Sequence, residues 1–166
     1  PGLIAWGAKV RVLGPGPEDE EWVPLEHFYI VPRAPQQGTN VLRSGQIIAQ
    51  IWIPETGRRT SATYEVLQLE GLDWPLASAA ACLEIEGGTV RSAKLVMGHV
   101  APVPWVAAQA AQALIGAVVS DDSAGHAADL AVANATPLSM NEYKVQLART
   151  AVKRAILKAA GQWEGV

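Results

Sequence analysis

The sequence predicts an α+β fold: a three-stranded antiparallel sheet followed by about three helices laid over one of its faces. Gly87-Gly88 separates two runs of strand character, Leu76–Glu86 and Thr89–Met97. Two adjacent glycines supply the positive φ that a two-residue hairpin turn needs at both central positions. Thr60–Leu69 sets Ala62, Tyr64 and Val66 on one face against Thr63, Glu65 and Leu67 on the other, giving the third strand. Beyond residue 104 the spacing turns helical, in segments near 105–116, 121–134 and 139–160.

In chain order, Leu3–Trp6 is a short apolar run entering Ala8–Leu13, where Lys9 and Arg11 alternate with Val10 and Val12 as in a half-buried strand. Gly14–Glu21 is a turn with an acidic tip, a solvated loop by its charge, and Trp22–Leu25 resumes the strand. Residues 26–40 are irregular and rich in Pro, Gln and Gly. Gln46–Ile53 is a strand that Pro54 ends; its apolar residues do not alternate strictly, which predicts cover on both faces. Glu55–Arg59 is a loop and a domain boundary, so residues 1–54 and 55–166 are expected to be separate units. The alanines at 77, 79 and 81 are expected to face the helices. The Pro-broken V-A-P-V-P-W that follows is expected to leave the sheet, since Pro cannot donate to the ladder.

Among the helices, the first stops at Gly116, and Ser120 or Asp121 caps the second, with Asp121 and Asp122 at its positive end. Ser139-Met140-Asn141-Glu142 fits a capping box for the third. Val145, Ala148, Val152, Ile156 and Ala159 line its apolar face, and Lys153, Arg154 and Lys158 crowd its negative end.

Composition bounds the function. The 166 residues are 49% hydrophobic and 17% charged, which fits a chain with ample core. A net charge of −3 without a basic run gives nucleic-acid binding no support. The single cysteine, Cys82, lies in an apolar run as an inert core residue; alone it makes neither an internal disulfide nor an iron–sulfur site. No apolar stretch reaches membrane length and no signal-peptide pattern is read in these residues, so the expected location is the cytoplasm. Starting at Pro1 without Met, the chain is expected to be processed or part of something longer.

No catalytic constellation stands out. His27, His99 and His126 lack a recognisable nucleophile or metal partner by spacing, and His27 is assigned a structural role. Asp73, beside Trp74-Pro75, can act as an acid or base or can bond local backbone amides. A Gly-rich phosphate signature is absent.

Several short motifs, in order over most of the chain, nevertheless resemble a known family. These are P-G-L-I-A-W-G-A-K-V-R-V at Pro1–Val12, Gln46-Ile47-Ile48 with Ile53-Pro54, Tyr64, Asp73-Trp74, the Gly87-Gly88 hairpin, G-H-V-A-P-V-P-W at Gly98–Trp105 and P-L-S-x-N-x-Y-K at Pro137–Lys144. Together they look like the C-terminal part of the FAD-binding (medium) subunit of molybdenum hydroxylases, the xanthine and carbon monoxide dehydrogenase group. The resemblance implies that residues 1–54 are the C-terminal remnant of an FAD-binding domain and 55–166 a flavoprotein C-terminal domain. It also implies partners: a large molybdenum-cofactor subunit and a small 2Fe-2S subunit, with electrons passing through FAD to an acceptor.

By the same resemblance, Ile48 is cofactor-binding and lies against the isoalloxazine ring, Ile47 takes its place if the register differs by one, and Asp73 is a further candidate. An apolar wall there limits water and tunes potential without reacting.

The chain departs from the family pattern at Val66 and Leu69, where members often carry Lys and Arg, and at Gln46, where Glu is usual. The Gly-rich segments that hold the FAD pyrophosphate lie N-terminal to Pro1 in the family, so this chain alone is not expected to bind FAD tightly. Strands 1–54 are accordingly expected to be incompletely paired, Lys9–Leu13 among them, and open edges promote self-association.

Overall fold

The computed structural model describes residues 1–163 apart from Glu70 and Leu72; these two and residues 164–166, all within the stretch assigned to the C-terminal unit, lie outside the described residues. The fold is α+β and is built around β5 (Ala77–Glu86) and β6 (Thr89–Gly98). They form the hairpin expected at Gly87-Gly88, whose φ values are +58° and +80°. On the far side of β5 lies β4 (Arg59–Val66), antiparallel and in full register from Arg59↔Glu84 to Val66↔Ala77.

The sheet has a fourth strand that the sequence did not suggest. After the Pro-broken loop, β7 (Trp105–Val106) returns to pair with β6 at Val96 and Met97, giving the order β4-β5-β6-β7. This corrects the expectation of a helix from residue 105: α3 spans Ala108–Leu114. The prolines leave the sheet as expected, but the chain returns once they are passed.

Helices α3, α4 (Asp121–Val132) and α5 (Tyr143–Ala159) cover one face of this sheet. Their core takes in Ala77, Ala79, Ala81 and Leu83 of β5 with Leu114, Ala124, Val152 and Ile156. Ala at three of the four β5 positions lets the helices approach closely. Ser120 caps α4 in a capping box with Ser123, as expected at that end. The capping box expected for α5 is absent: its N-cap position is Glu142, which is already helical and makes no side-chain cap bond. Met140, at φ +62° and 97% exposed, turns the chain before the helix begins, so Ser139 is out of capping register.

The opposite face of the sheet is also covered. The N-terminal segment folds into α1 (Gly2–Ala5), β1 (Lys9–Leu13), β2 (Glu20–Pro24), α2 (Leu25–Phe28) and β3 (Ile47–Trp52). Its Ile4, Ala8, Val10, Val12 and Phe28 pack with Ala80, Cys82 and Val96 in a second core. β5 is therefore covered on both faces, and every residue from Ala77 to Leu83 is buried.

The three N-terminal strands run in the order β2-β1-β3. β1 is paired on both sides, from Lys9↔Pro24 to Leu13↔Glu20 and from Lys9↔Trp52 to Leu13↔Ile47. The expectation that Lys9–Leu13 would lack partners is thus corrected; among the described residues the open edges belong to β2 and β3. No helix among the described residues is long and apolar enough to cross a membrane.

Candidate functional site

β3 carries Ile47 and Ile48, and all six of its residues are exposed, against the expectation of cover on both faces. β3 is an edge strand, paired with β1 on one side only, and the pairing contains a β-bulge. Arg11 pairs with Gln50 and the next residue, Val12, with Ile48, so Ala49 is the extra residue. Residues directly opposite in an antiparallel pair share a face. Ile48 and Ile51 therefore lie on the face of Val12 and Val10, the face that enters the second core. Ile47, Gln50 and Trp52 lie on the other face with Leu13, Arg11 and Lys9. Contacts agree with this assignment: Arg11 Nη1 donates to Gln50 Oε1 at 3.1 Å, and Lys9 Nζ sits 5.7 Å from the Trp52 ring centre.

Two consequences follow. Apolar residues stand on both faces of β3, Ile48 and Ile51 on one and Ile47 and Trp52 on the other, yet both faces are exposed because β3 is an edge strand. Ile48 and Ile51 continue the apolar face of a core but stand at the sheet edge, 43% and 53% exposed. Ile47 and Ile48 face opposite ways, so a single planar ligand cannot lie flat on both.

Asp73 stands apart, in the loop between β4 and β5. Its carboxylate accepts from the Leu69 amide at 3.2 Å and the Trp74 amide at 2.9 Å. This is the local backbone role that was one of the two open at the sequence level. No hydrogen bond joins Asp73 to Ile47 or Ile48 among the described residues. Leu69 is 68% and Trp74 83% exposed beside it.

The other singled-out residues have plain roles. Cys82 is buried beneath the N-terminal segment, and burial pushes its thiol up. His27, assigned a structural role, is instead exposed, its Nε2 3.9 Å from Glu26. His99 takes φ +64°, and its Nδ1 lies 3.1 Å from Ser78 Oγ, a pair that the sequence spacing did not reveal. Among the described residues, no group of three His, Cys, Asp or Glu could hold a metal ion.

Sequence reasoning also missed a cleft on the helix side of the sheet, of about 530 Å³, between the β6–β7 connection, the end of α4 and the start of α5. Its one sequence signal was the run Pro137–Lys144, three of whose residues line it.

Comparison with known proteins agrees with this architecture. The carbon monoxide dehydrogenase medium chain of Afipia carboxidovorans is 27% identical over 150 residues, covering 87% of this chain and 50% of that one. A chain of the Hydrogenophaga pseudoflava carbon monoxide dehydrogenase structure superposes with a TM-score of 0.82 at 27% identity, over 96% of this chain and 55% of that one. A chain of quinoline 2-oxidoreductase from Pseudomonas putida 86 gives 0.81 at 25% identity, over 97% and 55%. This chain thus spans about half the length of the relatives it matches. Residues 62–159, running from β4 to the end of α5, match the family described as the CO dehydrogenase flavoprotein C-terminal domain, and the chain belongs to that family.

Proposed function

We propose that the protein is the C-terminal part of the FAD-carrying electron-transfer subunit of a molybdenum hydroxylase, working in the cytoplasm beside a molybdenum-cofactor subunit and a 2Fe-2S subunit. Residues 1–54 then belong to the FAD-binding domain and 55–166 form the C-terminal domain. Redox chemistry belongs to FAD when it is bound, between iron–sulfur clusters and an acceptor. The part of this chain is to wall the ring and keep water from it.

The observation that carries the reading is the position of Ile48. It lies on the core-side face of an edge strand, and 43% of it is left uncovered. An apolar residue so placed suits one face of a flat ring. The fit is partial, since no Gly-rich nest for a pyrophosphate occurs in the sequence. Asp73, held by two loop amides, contributes to the cofactor site only by shaping the loop that ends in Trp74.

A second reading, a subunit-interaction module without redox work, draws support from the exposed Ile51, Trp52 and Ile53. Ile48→Ala separates the two. Under the flavin reading the melting of this chain changes little, whereas truncating a core Ile costs about 2–5 kcal/mol. The flavin potential of the reassembled subunit moves by tens of millivolts, where ~30 mV in a two-electron couple is about 1.4 kcal/mol. Ile47→Ala, on the opposite face, leaves the potential unchanged. A core-sized loss of stability with an unmoved potential makes Ile48 a packing residue and favours the second reading.

A further inference from the structure

The cleft beneath the α4–α5 connection lies away from β3 and takes no part in the function proposed above. Its walls are mostly apolar, with Met97, Trp105, Leu130, Pro137 and Val145 among them, and Gln109, Asn134, Thr136 and Asn141 are its uncharged polar members. Lys144 is the one charged residue in the lining, and no acid faces it there. Its Nζ donates to the His99 carbonyl at 2.8 Å, which fixes the ammonium and leaves two of its three N–H groups for another acceptor. Among the described residues Lys144 has no carboxylate partner. The adjacent start of α5, a helix of 17 residues without a side-chain cap, adds positive potential of its own.

A mostly apolar cavity of about 530 Å³ with a few polar side chains and one charge has the size and make-up of a small-molecule site. We propose that it binds a small amphipathic monocarboxylate, with the hydrocarbon or aromatic body in the cleft and the carboxylate on Lys144. The ligand supplies the anion that the cleft lacks, and the apolar walls reject more polar acids.

The test is a titration with octanoate, below its micelle concentration, followed by amide NMR shifts of the protein, with octanol as the neutral analogue. Saturable shifts are expected at Leu130, Lys144 and Val145, with octanoate tighter than octanol. Lys144→Gln should weaken octanoate about tenfold or more and leave octanol unchanged, while Lys144→Arg retains octanoate. Ala135→Phe, at an exposed lining position, should fill the cleft and weaken both ligands; the same spectra report whether each variant is folded. The proposal is overturned if octanoate produces no saturable shifts at these residues, if octanol binds as well as octanoate, or if Lys144→Gln binds octanoate normally. Shifts scattered over exposed Ile47 and Leu138, or a cleft that rejects octanoate and becomes protected only when partner subunits are added, overturn it equally.

Discussion

Arg149 on α5 grips Asp129 on α4 with both arms of its guanidinium: Nε lies 2.5 Å from Oδ1 and Nη2 3.2 Å from Oδ2. The fork matches a carboxylate, so the pair fixes the angle between two helices as well as joining them. The hydrogen bond from Arg149 holds the Asp129 carboxyl below its usual range, outweighing the opposing effect of desolvation. A carboxyl whose folded pKa is depressed contributes stability that is present above its unfolded pKa and is lost as pH falls through its folded one. Asp129→Asn is therefore expected to lower the denaturation midpoint at neutral pH. The gap to the unsubstituted protein should close as pH falls below about 3.9, the usual Asp value. An effect that persists undiminished into acid would assign the loss to packing. Because the pair is exposed, the effect should be modest.

At the scale of elements, β3 shows what could and could not be recovered from the residues. Its existence and span were legible from Gln46–Ile53, and its end from Pro54. Its environment was not, because apolar residues on both faces look the same in a covered strand and an edge strand; only the strand order places β3 at an edge, and only the pairing with β1 reveals Ala49 as the extra residue. The capping box of α5 failed similarly: S-x-x-E is a local pattern, and the turn at Met140 overrode it. The double cover of β5 was half legible, since its alanines predicted the helices but nothing local announced the N-terminal segment on the other side. Of the candidate site, Ile48 was reachable through family resemblance alone, and the Lys144 cleft joins two stretches, 97–110 and 130–148, that are distant in sequence.

β3 also leads to a prediction. It is an edge strand with Ile47, Ile51 and Trp52 exposed, and such edges pair with other chains unless a charge interrupts them. Concentration-dependent association is expected in light scattering of this chain, and Ile51→Lys should suppress it while leaving the melting temperature nearly unchanged. A monodisperse monomer at every concentration would show that the bulge alone protects the edge.

The whole molecule is two cores sharing one sheet. Ala77, Ala79, Ala81 and Leu83 serve the helix-side core, while Ala80 and Cys82, the residues between them, serve the core under the N-terminal segment. Neither core can open without uncovering the same strand, so the two should be lost together, although residues 1–54, which cover one of them, were expected from the sequence to be a separate unit. Cys82 offers a probe, since it is the one cysteine and lies at the seam between the N-terminal segment and the sheet. Its buried thiol should resist labelling in the native protein and react only as the seam opens. Phe28→Ala, in the seam core, is expected to cost about 3–5 kcal/mol, and Leu83→Ala, in the helix-side core, about 2–5 kcal/mol. If the molecule unfolds as one unit, both substitutions should accelerate Cys82 labelling in proportion to their loss of global stability, with β1 and α5 amides exchanging at a common rate. If Phe28→Ala exposes Cys82 while α5 amides stay protected, the N-terminal segment opens independently. The boundary at residue 54 would then be a dynamic one, and sharing β5 would be too weak a coupling to make the two cores a single cooperative unit.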